Sequence, residues 1–228
     1  MKIVYDRLAE LPLGDAAQRR AADIGAVFAG EPGVEVRWEF HAERMPRELV
    51  LVAEDAHRRA EEPITVTELF DGNGTFHEKL RRMKDSLADN GHWRAGVRKL
   101  MGDVERWASE IPGAVVERFT VWRNEEHYGR YELPALVVRF GPRTLRIAPL
   151  SGRNLPPMWM DPLRRTGERE NGCVQFAGPS DSVEVYLLHP SGLWVYQMRD
   201  VDFRADPALV DTLDAAALAG IVAEFFDE

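Results

Sequence analysis

The chain has 228 residues, of which 45% are apolar and 29% charged, with a net charge of −9 and a single cysteine, Cys173. A chain of this length buries roughly 70% of its unfolded surface, so its core needs no metal, and one cysteine cannot build an internal disulfide framework. The acidity argues against broad electrostatic binding of nucleic acid, no window approaches the ~20 apolar residues of a membrane span, and the opening MKIVYDRLAELPL is not apolar enough for a signal peptide; a cytoplasmic protein is expected.

Lys2 to Tyr5 reads as a short strand. Asp15 as N-cap, Gln18 three residues on, and Ala17, Ala21, Ile24 and Phe28 on one face predict a helix that stops at Gly30. Val34, Val36, Trp38 and Phe40 alternate with Glu35, Arg37 and Glu39, the pattern of a half-buried strand. Pro46 suits the first turn of a second helix running to about Ala60, on which Glu54 and His57 would share a face. Ile64–Phe70 fits either strand or loop. After the turn residues Asp71-Gly72-Asn73-Gly74, Thr75 and Glu78 form a capping-box pattern opening a helix with Phe76, Leu80, Met83 and Leu87 inward. Asn90-Gly91 is expected to break it. Trp93, Val97, Leu100, Met101, Val104, Trp107 and Ile111 then mark a second helix, antiparallel to the first.

The character of the sequence changes at Pro112-Gly113. Strands are predicted over Ala114–Arg123, Tyr128–Phe140, Thr144–Pro149, Cys173–Ala177, Val183–His189 and Leu193–Arg199, separated by turn residues. Tight turns imply antiparallel pairing. A long loop, Leu150–Asn171, interrupts the series, and Asp206-Pro207 opens a last helix with Val210, Leu213, Leu218, Ile221 and Phe225 inward. The expected fold class is α+β: a helical N-terminal half (1–112) with one or two short strands, then an antiparallel meander of about five to six strands and a C-terminal helix (113–228), as two domains or one continuous one.

The catalytic motifs that can be read from one sequence are missing. No Gly-rich loop precedes Lys-Ser/Thr, no Gly-x-Ser-x-Gly elbow occurs, and neither His-Glu-x-x-His nor paired Cys-x-x-Cys is present. Lysine ends at Lys99, so an acid-x-Lys nuclease core cannot lie in the strand-rich half, and arginine does not deprotonate in its place. Asp71, Asn73 and Thr75 match alternate ligands of a calcium loop, but Phe76 stands where that loop needs glycine and Arg82 where it needs glutamate. Glu54-x-x-His57 has the spacing of di-metal bundles without the second copy such a site requires, and reads as a surface ion pair. No cofactor or metal is implied.

Two stretches hold the remaining possibilities. In Leu155–Leu163 prolines stiffen a loop that presents Met158, Trp159 and Met160, flanked by Arg153, Arg164 and Arg165; tryptophan and arginine are the residues most enriched at binding hot spots. That loop makes a protein-binding or regulatory role without catalysis the leading expectation: an immunity-, adaptor- or accessory-type protein of a bacterial system, with another protein as partner. The alternative is a metal-dependent hydrolase or nuclease whose site assembles from Glu125, Glu126, His127 and the distant Asp181. Between Arg139 and Arg169 seven arginines face two acids, which is the one surface on which nucleic acid would be bound.

Overall fold

The computed structural model describes residues 2–4, 14–41, 48–70, 74–151, 169–179, 182–196 and 211–226. The chain forms two compact units, Met1–Gly91 with Asn124–Tyr131, and His92–Arg123 with Glu132–Glu228. Pro112-Gly113 lies inside the second. The fold class is α+β, but strands appear from the start of the chain, so the helical N-terminal half is corrected.

The first unit carries β1 (Lys2–Val4), α1 (Gly14–Arg19), α2 (Ala21–Phe28), β2 (Glu35–His41), β3 (Glu48–Glu54), β4 (Arg59–Ile64) and α3 (Val66–Phe70). Its sheet has the order β1-β2-β3-β4, with β1 parallel to β2 and the rest antiparallel. From Glu48 on, the helix expected over Pro46 to about Ala60 is instead the hairpin β3–β4; Pro46 lies outside the described residues. Leu49, Val50, Leu51, Val52 and Ala53 are all buried, because β3 is an interior strand covered on both faces, and such strands are continuously apolar rather than alternating. The turn is fixed by Asp55, whose Oδ1 accepts the N–H groups of His57 and Arg58, both at 2.8 Å. Glu54 therefore ends a strand and His57 lies in a turn, not on one helix face.

On one face of this sheet Val36, Trp38, Leu51, Ala53, Ala60 and Ile64 pack with Ile24, Phe28, Phe76, Leu80, Met83 and Leu87. Trp38 and Phe76 stack with centroids 6.3 Å apart. The other face holds Arg37, Glu39, Glu54, Arg59 and Glu61 as a linked set of ion pairs. Burial by itself would raise the Glu54 carboxyl, yet Arg37 and Arg59 outweigh it and hold Glu54 below its ordinary value. A reciprocal capping box sits at Thr65 and Glu68, ahead of α3: Thr65 N–H donates to Glu68 Oε2 at 2.8 Å and Glu68 N–H to Thr65 Oγ1 at 3.2 Å.

A single helix, α4 (Thr75–Ser109, 35 residues), replaces the expected hairpin of two. Asn90 and Gly91 do not break it, since each serves packing. Asn90 is buried and its Oδ1 accepts the Arg59 N–H at 3.0 Å; a Cβ on Gly91 would meet Arg58 Cδ at 2.8 Å. The cost of glycine in a helix, about 1 kcal/mol, is small beside the burial of Leu87, Trp93 and Val97 around it.

The second unit carries most of a seven-stranded sheet in the order β11-β10-β9-β8-β7-β6-β5: β5 (Ala114–Glu125), β6 (Gly129–Phe140), β7 (Arg143–Ser151), β8 (Arg169–Ala177), β9 (Ser182–His189), β10 (Trp194–Tyr196) and β11 (Asp211–Thr212). The expected antiparallel meander is found here, with seven strands rather than five to six. A register shift lies between Glu170 and Cys173, where Gly172 takes φ 125° and the Trp93 ring packs so closely that a Cβ would lie 2.4 Å from it. The final helix, α5 (Ala215–Phe226), starts later than expected: Asp214 Oδ1 accepts the Ala217 N–H at 2.8 Å as its N-cap. Phe226, rather than Phe225, is buried; Asp206-Pro207 lies outside the described residues. Among the described residues no helix is long and apolar enough to cross a membrane.

Candidate functional site

Glu125, Glu126 and His127 come together in the first unit, at the β5–β6 turn, where with Val50, Glu61, Pro63 and Asn124 they line a cleft of about 300 Å³. His127 takes φ 69°, a conformation rare for a side-chain-bearing residue and costing of order 1 kcal/mol or more. Two contacts hold it there. Its carbonyl accepts the Glu61 N–H at 2.6 Å, and its Nδ1 lies 3.4 Å from Glu62 Oε2. Glu62 is only 3% exposed, on the core-facing side of β4; Arg82 of α4 pairs with its other oxygen at 2.5 Å. The Glu62 Oε2 and His127 Nδ1 atoms are both buried and neither makes a hydrogen bond.

An imidazole whose Nδ1 faces a buried carboxylate presents Nε2 outward, the orientation of a general base. The rest of the cleft does not supply the chemistry to match. His127 Nε2 is 3.7 Å from Glu126, which is 89% exposed. Glu125 receives the Tyr131 hydroxyl, and Glu61 is held by Arg59 Nε at 2.9 Å. No hydroxyl or thiol is among the lining residues. Asp181, the fourth member of the expected metal set, lies outside the described residues. Among the described residues no group of three or more His, Cys, Asp or Glu is placed to hold a metal ion. What the tip of this hairpin does do is close the edge of β4.

The other expected site, Met158, Trp159 and Met160 with Arg153, Arg164 and Arg165, lies wholly outside the described residues. Of the Arg139–Arg169 cations that are described, Arg139 pairs with Glu117 at 2.9 Å and Arg146 lies over the Phe119 ring at 5.4 Å.

Three features were not picked out in the sequence. A groove of about 560 Å³ in the second unit is lined by Arg94 and Arg98 of α4, Arg118, Phe119 and Thr120 of β5, and Glu132, Leu133 and Pro134 of β6. Arg94 and Arg98, four apart, share a helical face beside the buried Trp93 and Val97, a spacing visible in the sequence. A smaller pocket of about 220 Å³ has His92 and His189 edge to face at 4.6 Å, with Asn171, Leu187 and Trp194 beside them. Third, among the described residues β5 is a terminal strand of twelve residues, paired in its sheet with β6 alone, and none of its residues is fully buried. Val115 is 56% exposed and Trp122 52%.

No protein-family model, curated protein or solved structure matches the chain.

Proposed function

We propose that this is a cytoplasmic binding or regulatory protein, of the adaptor, accessory or immunity type, which acts by docking another protein rather than by chemistry of its own. The single observation that carries the reading is the open edge of β5. A terminal strand offers every second N–H and C=O to a newcomer, and an extended segment of a partner satisfies them by adding one more strand. Twelve residues offer about 40 Å of such edge. Natural sheets normally blunt an edge of that length with proline, charged side chains (lysine above all) or a bulge; β5 contains neither proline nor lysine, and its charges are Glu117, Arg118, Arg123 and Glu125. In the cleft at His127, Glu125 is engaged by Tyr131 and Glu61 by Arg59 while Glu126 is exposed, which supports a structural role over the convergence a hydrolase reading would need.

Neighbouring residues of a strand point their N–H groups to opposite sides. One of Thr120→Pro and Val121→Pro therefore spares the ladder to β6 and blocks only the outer edge. The expected outcome is that one of the two variants keeps the parent melting temperature and no longer binds a partner purified by co-migration with the chain. In the parent complex, amide exchange should slow on alternate residues of Ala114–Val121. Protection confined to other strands would end the reading.

Met158, Trp159 and Met160, with Arg153, Arg164 and Arg165, belong to the same proposal as a second contact. Trp159→Ala is expected to weaken the complex with no change in melting temperature; a fall of many degrees would make Trp159 a core residue instead.

A further inference from the structure

The open edge does not stand alone: the groove of about 560 Å³ runs up to it, since Arg118, Phe119 and Thr120 belong to β5 itself. Its charge runs against that of the molecule. In a chain of net charge −9, Arg94, Arg98 and Arg118 line this groove against one acid, Glu132. Arg118 already holds Glu105 of α4, in a half-exposed pair that leaves the remaining donors of its guanidinium accessible. Arg98 is exposed on the helix. Guanidinium groups grip carboxylates through two parallel hydrogen bonds, so the exposed Arg98 and the half-exposed Arg118 beside a strand edge form a receptor for acids, with Arg94 adding its charge from the partly buried side of the groove.

Resting on the strand-docking reading above, we infer that the segment added to β5 is an acidic one, an extended stretch of a partner protein with carboxylates at alternate positions. Alternation follows from strand geometry. Side chains two residues apart point to the same face about 6.6 Å from each other, so every second residue of the added strand would face Arg98 and Arg118 while its neighbours face away. The main chain supplies affinity that does not depend on sequence, and the arginines supply the choice. A nucleic acid is the weaker occupant on the same observations: it has no backbone N–H and C=O to pair with β5, and a long polyanion is repelled by the rest of an acidic molecule.

Three probes decide the matter on the full chain. They are a capped nine-residue peptide with glutamate at alternate positions between valine and threonine, the same peptide with lysine for glutamate, and a single-stranded oligonucleotide of mixed sequence. The glutamate peptide is expected to bind at least tenfold more tightly than the lysine peptide at low salt, to weaken as salt rises, and to slow amide exchange on alternate residues of β5. Arg98→Glu should cost at least tenfold for the glutamate peptide and narrow or invert the preference; Arg98→Gln, with no charge reversal, should give about half that effect in logarithmic terms. Equal binding of both peptides with protection of β5 would overturn the acidic preference and leave strand docking intact. Protection absent with either peptide would overturn both. An oligonucleotide that binds and displaces the glutamate peptide would reassign the groove to nucleic acid.

Discussion

β4 and β5 both end a sheet, and the molecule treats them in opposite ways. On β4 the outward N–H groups have partners, and so does one outward carbonyl. Arg59 N–H goes to Asn90 Oδ1 at 3.0 Å and Glu61 N–H to the His127 carbonyl at 2.6 Å; Pro63 has no N–H, and its carbonyl takes Lys79 Nζ at 2.6 Å. A side chain from a helix, a backbone carbonyl from a turn, a proline and a lysine together serve its three outward-facing residues. On β5, twice as long, none of these devices is found among the described residues. Among the described residues one edge is fitted with partners, and on the other only the Trp122 carbonyl takes a side chain, Arg123 Nη1 at 3.4 Å; this contrast gives β5 its functional weight.

The closure of β4 depends on residues whose worth shows only in the folded chain, and removing one should break the contrast from that side. Asn90→Ala leaves the Arg59 N–H buried and unpaired, a loss of about 2 kcal/mol, of which the better helix propensity of alanine returns roughly 0.5. The expected fall in melting temperature is about 3–6 °C for a chain of this size. Exchange of the Arg59 amide should accelerate well beyond that of its neighbours. An unchanged melting temperature with an unchanged Arg59 amide would show that the side-chain cap does not secure the edge.

A smaller and graded effect is expected in acid. In the β3–β4 hairpin, burial would raise the carboxyls of Glu54 and Asp55, but Glu54 is held below its ordinary 4.5 by Arg37 and Arg59, and Asp55 below 3.8 by the His57 N–H and by Arg58. At the start of α3, Glu68 is held down in the same sense by Lys79 and the Thr65 cap. A depressed folded pKa contributes stability that is fully present above the unfolded value and is lost as pH falls through the folded one. The first unit should therefore keep its stability down to about pH 4.5 and lose it progressively below. These groups are partly exposed, so added salt should blunt the loss. Amide exchange of β3 and β4 between pH 5 and pH 3, corrected for the intrinsic pH dependence of exchange, is the measurement; protection independent of pH would contradict the assignment.

How much of this was legible beforehand follows from the range of each interaction. The alternation of Val34, Val36 and Trp38 against Glu35 and Arg37 identified β2, because a half-buried strand writes its geometry locally. β3 was misread, because burial on both faces erases the alternation that distinguishes strand from helix. The break expected at Asn90-Gly91 failed for the same kind of reason: an asparagine and a glycine look like a stop until Arg59 and Arg58 are placed against them. Glu125, Glu126 and His127 stand together in the sequence and do share a cleft, but Glu62, whose buried carboxylate lies 3.4 Å from His127 Nδ1, sits 65 residues upstream with nothing local to mark it. Of the groove, only the Arg94–Arg98 spacing could have been noticed; its pairing with Arg118 depends on how α4 and β5 pack within the second unit.

The smallest expected change in stability is also the one that sharpens the contrast most. Val115 is more than half exposed on the open strand, and surface substitutions away from packed features stay within about 0.5 kcal/mol. Val115→Lys should move the melting temperature by less than about 2 °C, the corresponding shift at this chain length. Lysine on an edge strand is nevertheless one of the devices by which sheets refuse a further strand, since its charge must be desolvated when a neighbour arrives. The variant should thus bind its partner more weakly while unfolding as the parent does, which gives β5 the protection that β4 has from Pro63 and Lys79. A large loss of stability would mean that Val115 is packed within the fold and that the strand is already covered. An unaltered affinity would place the docking segment elsewhere along β5, toward Thr120 and Trp122, where the same substitution could be repeated.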